Sequence, residues 1–309
     1  MQFRGLILLS LLLSATASAE SMYKFRGPDG EWVYTDRAPQ GQQQVEVREL
    51  EPEVLDPTVD VFHRIFDRQI QLFARNDFHA PVEVLLGLDE LRNVSLPPPE
   101  QSLRFVLAPL SETTLISFDV LETGSAPLIA YHYQYLPGDP ESRHQPARPY
   151  RVPFAVANYH TISQAYPYAM THGSADAHYA VDIAMPIGTD IYAARGGTVF
   201  EVASTNFRGG LNPEKDGASA NLIRILHDDG TYGVYAHLNW NTIRVRTGDT
   251  VQRGEYIADS GNTGFSSGPH LHFAVIRNAG MRPESVPIVF EGPNSTEITP
   301  ELGNGLTAY

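Results

Sequence analysis

Hydrophobic and polar residues alternate along much of this chain, with the period of two that is typical of β-strands. In the stretch SSGPHLHFAV, which ends at Val275, His270 and His272 fall on one face of a predicted strand. The apolar residues between and after them fall on the opposite face, toward a core. Similar stretches recur through the chain, so the pattern predicts a mostly β protein.

A first group of predicted strands lies in residues 59–148, where turn-rich pieces such as Pro97-Pro98-Pro99 separate the strands. Their spacing predicts a small middle domain, an antiparallel β-sandwich. The segment Phe62–Phe73 also fits an amphipathic helix, so its structure stays open at this point. The predicted strands are Gln69–Ala74, Val82–Leu86, Leu103–Leu107, Thr114–Val120 and Ile129–Tyr135.

A second group of strands, punctuated by glycine, follows a Pro-rich passage. We expect residues 150–290 to form a C-terminal domain with an antiparallel β-fold, and residues 291–309 to form a tail. The predicted strands are Ala180–Ala184, Gly197–Val202, Asn221–His227, Gly233–His237, Tyr256–Ser260 and His270–Ile276.

The N-terminal part of the mature chain predicts a smaller unit. In MYKFRGPDGEWVYTDRAP, aromatic and polar residues alternate on both sides of a Pro-Asp-Gly turn, which predicts a β-hairpin in a domain spanning residues 20–50. The Gln-, Glu- and Pro-rich segment 40–57 predicts a linker. The hairpin resembles a short domain of unknown function that is common in proteobacterial envelope proteins.

Residues 1–19 have the pattern of a secretory signal peptide. Arg4 precedes an apolar run that ends at Leu13, and Ala17-Ser18-Ala19 offers a small-residue cleavage site. The apolar run is shorter than the ~20 residues that a membrane-spanning helix needs. We therefore expect an exported protein with no transmembrane segment.

Composition limits the chemistry that the chain can perform. The 36 acidic residues outnumber the 22 Lys and Arg, giving a net charge of −14, which argues against nucleic acid as a partner. Cysteine is absent, so disulfides and thiolate ligands are excluded. A metal site in this chain must use histidine and carboxylate ligands.

Four sequence clusters in residues 150–290 together carry a family resemblance. They are THGSADAHYAVDIAMPIGTDIYAARGGTV, NLIRILHDDG, YAHL and GDTVQRGEYIADSGNTGFSSGPHLHF. In order and in the placement of glycines they resemble the zinc metallopeptidases of the LytM and lysostaphin type. The resemblance implies a groove that holds one Zn²⁺ ion, bound by two His and one Asp.

Carried over residue by residue, the resemblance implies that Asp182 and His272 are zinc ligands. It likewise implies that His270 and His237 of YAHL are the catalytic pair. Two His and one Asp agree with catalytic zinc sites, which keep about three protein ligands and one position for water.

The remaining zinc ligand has two candidates. The common family pattern H-x-G-x-D fits HYAVD with His178, except that Ala180 replaces the glycine. In an extended strand His178 would lie roughly 13 Å from Asp182, too far to share one metal. A related subgroup places this histidine earlier, in a loop, where His172 lies in MTHGS. We therefore predict His172, with His178 as the alternative.

The sequence thus predicts an exported zinc endopeptidase that hydrolyses peptide bonds of bacterial peptidoglycan in the Gram-negative periplasm. The N-terminal domains would offer a surface for an envelope protein partner. Two other functions stay open: an inactive LytM-like regulator that binds and activates a cell-wall amidase, and a peptidoglycan-binding module. Bound zinc would distinguish the enzyme from both.

Overall fold

The computed structural model describes residues 21–26, 32–35, 46–49, 57–168 and 170–309. The predicted signal peptide lies outside the described residues. The chain divides into two compact units, with the division between Asp56 and Pro57.

The first unit contains a three-stranded antiparallel sheet. Its strands are β1 (Ser21–Arg26), β2 (Trp32–Thr35) and β3 (Glu46–Glu49), in the order β2-β1-β3. Strands β1 and β2 form the predicted hairpin, which is confirmed. Strand β3 lies within the segment predicted as a linker, so that prediction is wrong for these four residues: they complete the sheet by pairing with β1.

The second unit begins with two three-stranded antiparallel sheets, β4-β5-β8 and β7-β6-β9, which confirm the predicted middle sandwich. The segment left open between helix and strand forms β4 and β5, where Ile70, Leu72 and Ala74 are buried at every second position. The strands are β4 (Val59–Phe66), β5 (Gln69–Asn76), β6 (Val82–Arg92), β7 (Arg104–Leu107), β8 (Ser111–Asp119) and β9 (Leu128–Pro137).

The rest of the second unit is built on a nine-stranded sheet, within the described residues. Its order is β17-β13-β15-β16-β20-β11-β10-β24, and β21 pairs with β20. The strands of this part of the chain, inside and outside the nine-stranded sheet, are β10 (Tyr159–Gln164), β11 (Val181–Ala184), β12 (Asp190–Tyr192), β13 (Gly197–Ala203), β14 (Gly209–Gly210), β15 (Leu222–Leu226), β16 (Tyr232–Ala236), β17 (Thr250–Val251), β18 (Tyr256–Asp259), β19 (Gly264–Phe265), β20 (His270–Asn278), β21 (Pro283–Ser285), β22 (Phe290–Glu291), β23 (Glu297–Ile298) and β24 (Gly305–Thr307).

Three two-stranded pairings lie outside this sheet, β12 with β18, β14 with β19 and β22 with β23. In the part of the chain that the structure describes, helical structure is short: one α-helix, α1 (Pro213–Asp216), and the 3₁₀ turns Gly217–Ser219 and Pro293–Ser295. No helix among the described residues has the length and apolar character needed to cross a membrane.

One face of the nine-stranded sheet packs on the core of its own domain. On β20, Leu271, Phe273 and Val275 are at most 1% exposed and belong to this core, as the alternation predicts. The C-terminal segment contributes as well, because Leu306 of β24 is fully buried in the same core and β24 pairs with β10. Part of the segment predicted as a tail is therefore an edge strand.

The opposite face of the sheet is covered in part by the middle sandwich. A second core joins sandwich residues such as Val84 and Leu86 with Val234 of β16 and with Ala274 and Ile276 of β20. Because side chains alternate along a strand, this is also the face that bears the two histidines at the start of β20. The sandwich thus covers one end of the face and leaves the histidine end open.

A buried carboxylate connects the sandwich to the end of β20. Glu83 of β6 is 2% exposed, and its Oε2 accepts hydrogen bonds from Asn278 Nδ2 at 2.8 Å and the Met281 amide at 2.7 Å. Its Oε1 lies 3.0 Å from the Arg104 guanidinium. Every oxygen of this buried charge has a partner, so the contact fixes the sandwich against the sheet.

Candidate metal centre

Two of the predicted ligands lie on neighbouring antiparallel strands. Asp182 of β11 pairs directly with His272 of β20, so both side chains project from the same face of the sheet. His272 Nδ1 lies 2.8 Å from Asp182 Oδ1. The Asp182 side chain is 4% exposed and that of His272 is 18% exposed, so the pair sits at the bottom of a surface that solvent reaches.

His172 reaches the same carboxylate from the loop before β11. Its Nε2 lies 3.2 Å from Asp182 Oδ1, and its ring packs edge-on against His272 with the centroids 5.1 Å apart. The side chain is 3% exposed, yet neither ring nitrogen has a hydrogen-bond partner. Buried polar atoms normally have partners, so an unsatisfied imidazole beside a carboxylate is a feature of a ligand site.

The three side chains fit a metal ion in both geometry and chemistry. The candidate ligand atoms of His172, Asp182 and His272 all lie within 4.8 Å of one another. Two tetrahedral zinc ligands at about 2.0–2.1 Å from the ion stand roughly 3.3 Å apart, close to the observed 2.8 and 3.2 Å. Among the described residues, no other such cluster of histidine and carboxylate side chains occurs.

The surrounding groups keep Asp182 ionised. Burial alone would raise the pKa of this carboxyl, but contacts with His172 and His272 and the nearby charge of His270 lower the pKa well below its usual range. A carboxylate that stays charged in a buried position is the state that binds a cation.

Two further histidines stand beside the cluster. The rings of His237 and His270 are 4.5 Å apart, and His270 Nε2 lies 3.7 Å from Asp182 Oδ2. His237 Nδ1 donates to the Thr263 carbonyl at 2.7 Å, and His270 Nδ1 donates to the Gly268 carbonyl at 2.8 Å. Since a carbonyl only accepts, Nδ1 of each ring carries a proton, and Nε2 of each ring is left for other partners.

His237 has an unusual backbone and an altered acidity. It follows β16 with a φ of 62°, a left-handed conformation that is uncommon for a residue with a side chain and that recurs at functional sites. Burial, and then the neighbouring His270, lower the pKa of His237 to about 4. The imidazole is therefore neutral at pH 7 and able to accept a proton.

Comparison with protein families identifies the segment that carries Asp182, His237, His270 and His272. Residues 176–283 match Peptidase family M23. The chain contains an M23 peptidase domain. The predicted resemblance to LytM- and lysostaphin-type peptidases is thereby confirmed, and the family implies a metal at the cluster. At the N-terminus, residues 9–58 match a domain of unknown function, DUF4124.

Curated relatives match part of the chain. The chain is 36% identical over 115 residues to the glycyl-glycine endopeptidase ALE-1 of Staphylococcus capitis, which covers 37% of this chain and 28% of the relative. It is 36% identical over 99 residues to the peptidoglycan DD-endopeptidase ShyA of Vibrio cholerae, covering 32% and 20%. The chain therefore spans less than a third of the length of these relatives.

A solved structure also resembles part of the chain. The antimicrobial peptidase lysostaphin from Staphylococcus simulans is 30% identical to this chain, with 41% of this chain and 47% of lysostaphin covered and a TM-score of 0.31.

The alternative ligand His178 lies outside the cluster of His172, Asp182 and His272. His178 is exposed, and its ring packs against Tyr166 and Tyr179 with centroid distances of 4.9 and 4.7 Å. Strand β11 begins at Val181, so His178 lies in the preceding turn. The loop instead brings His172 to Asp182.

Two residues of functional or structural interest escape the sequence patterns. Gln164 donates from Nε2 to Asp182 Oδ2 at 2.6 Å, although no motif includes it. His227, which follows β15, is 3% exposed, and its Nδ1 donates to the Gly196 carbonyl at 2.9 Å.

Proposed function

We propose that this chain is an exported zinc-dependent endopeptidase that hydrolyses peptide bonds of bacterial peptidoglycan. The observation that carries the proposal is the cluster of His172, Asp182 and His272, flanked by two histidines with free Nε2 atoms, in an M23 domain. The printed activities of the relatives, a glycyl-glycine endopeptidase and a peptidoglycan DD-endopeptidase, support the substrate class.

The proposed ligands are His172 through Nε2, Asp182 through Oδ1 and His272 through Nδ1, the atoms that approach one another most closely. Zinc held by three such ligands would leave a position for water, would lower the pKa of that water toward ~7 and would polarise a substrate carbonyl. The uncovered end of the sheet face leaves room for a peptide to reach this position.

His237 and His270 are the proposed catalytic pair. Each ring is oriented by a backbone carbonyl that holds Nδ1–H, so Nε2 faces the reacting groups. The lowered pKa of His237 keeps its imidazole neutral, which suits a group that removes a proton from the attacking water. His270, nearer to the carboxylate, is placed to stabilise the developing oxyanion or to transfer the proton onward.

The two alternative functions have less support. A regulator that only activates an amidase needs no metal ligands, yet all three candidate ligands and both histidines are present together. A binding module likewise needs no pair of histidines with fixed tautomers. Export to the periplasm, through the predicted signal peptide, would place the enzyme beside its substrate.

The test of the substrate is direct. The mature protein, residues 20–309, is incubated with purified peptidoglycan, and the new amino and carboxyl termini are identified by mass spectrometry. New termini within stem peptides or cross-links support the proposal. Release of intact stem peptides from the glycan, or no new termini at all, would contradict it.

A further inference from the structure

A β-bulge places Gln164 opposite the metal-binding carboxylate. Strands β10 and β11 pair Ile162 with Ile183 and then Gln164 with Asp182, so the register shifts by one residue between the two pairs. Without the shift, Ser163 would oppose Asp182. Bulges of this kind re-aim a side chain, and this one directs the Gln164 amide to the same face as the cluster.

The Gln164 side chain uses its full hydrogen-bonding capacity. Its Nε2 donates to Asp182 Oδ2 at 2.6 Å and to Thr171 Oγ1 at 2.9 Å. Its Oε1 accepts from the backbone amides of Met170 at 2.8 Å and Thr171 at 3.1 Å. Because backbone N–H groups only donate, they fix which end of the amide faces the carboxylate.

These contacts connect the Asp182 carboxylate on β11 with the loop that carries His172. Asp182 uses Oδ1 toward His172 and His272, whereas Gln164 holds the other oxygen, Oδ2. The same amide fixes the residues that immediately precede His172, although the Met170 side chain itself is 95% exposed. One side chain thus sets both the rotation of the carboxylate and the approach of the loop.

We propose that Gln164 is a positioning residue for the metal centre: it aims Asp182 Oδ1 at the ion and anchors the loop that presents His172. The role in metal binding rests on the proposed function. Anchoring of the loop does not, because those hydrogen bonds exist without a metal.

The test compares Gln164→Leu with Gln69→Leu. Gln69 is a matched control, because it too lies directly opposite an aspartate across antiparallel strands and donates to it, at 2.8 Å to Asp119 Oδ1, but far from the cluster in the sandwich. Loss of partners that orient metal ligands typically weakens metal affinity 10- to 100-fold, so we expect about that loss in Gln164→Leu. Gln69→Leu should retain the wild-type affinity, measured by competition with a chromophoric chelator at pH 7.

A second measurement uses the metal-free proteins. The Met170 and Thr171 amides should exchange hydrogen at least about tenfold faster in Gln164→Leu than in the wild type, and at unchanged rates in Gln69→Leu. If Gln164→Leu does not fold, Thr171→Val removes one bond to the amide from an exposed position and should weaken zinc binding about threefold.

Zinc affinity within about twofold of wild type in a folded Gln164→Leu protein would overturn the metal-positioning role. Unchanged exchange of the two amides would overturn the loop-anchoring role. A wild-type protein that binds no zinc would instead refute the proposed function, and the exchange comparison would still decide whether Gln164 holds the loop.

Discussion

Asp182 and His272 face each other across adjacent antiparallel strands, with Oδ1 of the one 2.8 Å from Nδ1 of the other. The β-sheet itself therefore presents two candidate ligands at a fixed separation. His172 is the third candidate and reaches them from a loop, and His237 and His270 stand to one side. Variants of the candidate ligands should therefore lose zinc, whereas variants of His237 and His270 should keep zinc and lose turnover.

His272→Ala should abolish stoichiometric zinc binding, because it removes a ligand at the rigid part of the site. His270→Ala and His237→Ala should retain the metal but slow turnover by about 10²- to 10⁴-fold, the range for a lost general acid or base. Metal analysis and release of muropeptides measure the two effects. An empty site in His270→Ala with a filled site in His272→Ala would show that the roles of the HxH pair are reversed.

His172→Ala should lose zinc, whereas His178→Ala should keep it. The imidazole of His172 is buried beside Asp182 with both nitrogens unsatisfied, while the exposed imidazole of His178 packs on Tyr166 and Tyr179. Zinc content after dialysis measures the difference. The assignment fails if the His178 variant is empty and the His172 variant is filled.

Alternation predicted most of the strands, and the motifs named the histidines and the aspartate that the structure brings together. The period of two gave the strands of the sandwich and of the main sheet, because each strand buries one face. The pattern in residues 266–275 also predicted which face of β20 packs on the core and which face bears the histidines. A four-residue extended separation argued against His178, and in the structure that residue lies outside the cluster.

Other features depend on contacts that no local pattern records. Gln164 reaches Asp182 only because a bulge shifts the register of β10. Ala274 is buried under the sandwich although it shares a face with the histidines, because a distant part of the chain covers it. Strand β3 was not predicted, because its own sequence has no strand pattern and the strand is defined by its pairing with β1.

Glu83→Ala should lower the free energy of unfolding by about 3 kcal/mol, because it leaves the partly buried Met281 amide without this partner and removes the buried carboxylate that pairs with Arg104. Glu90→Ala is the matched control on the same strand, since its carboxylate is 57% exposed and pairs only with exposed Arg92. That variant should change stability by less than about 0.5 kcal/mol. Urea unfolding measures both, and equal effects would contradict the role assigned to Glu83.

Stability should fall as the pH decreases from about 6.5 to about 4, in part because of His227. Burial lowers the pKa of this ring to about 4, so the unfolded chain, with a pKa near ~6.5, binds the proton more readily in this window. The contribution is complete above pH ~6.5 and amounts to at most about 3 kcal/mol.

His227→Leu should therefore show a weaker dependence of unfolding free energy on pH between 4 and 6.5, while its dependence above pH 7 should match the wild type. Urea unfolding of the metal-free proteins is the suitable measurement, because loss of metal at low pH then makes no contribution. Parallel curves for the two proteins across the whole range would contradict the assignment.

Removal and return of the metal test the central claim most directly. The mature protein is stripped with a chelator, its zinc content is confirmed by metal analysis, and release of muropeptides from purified peptidoglycan is followed before and after zinc is added. The account predicts one zinc per chain, loss of hydrolysis on complete removal and recovery on return of about one equivalent. Hydrolysis that continues in fully zinc-free protein would contradict it.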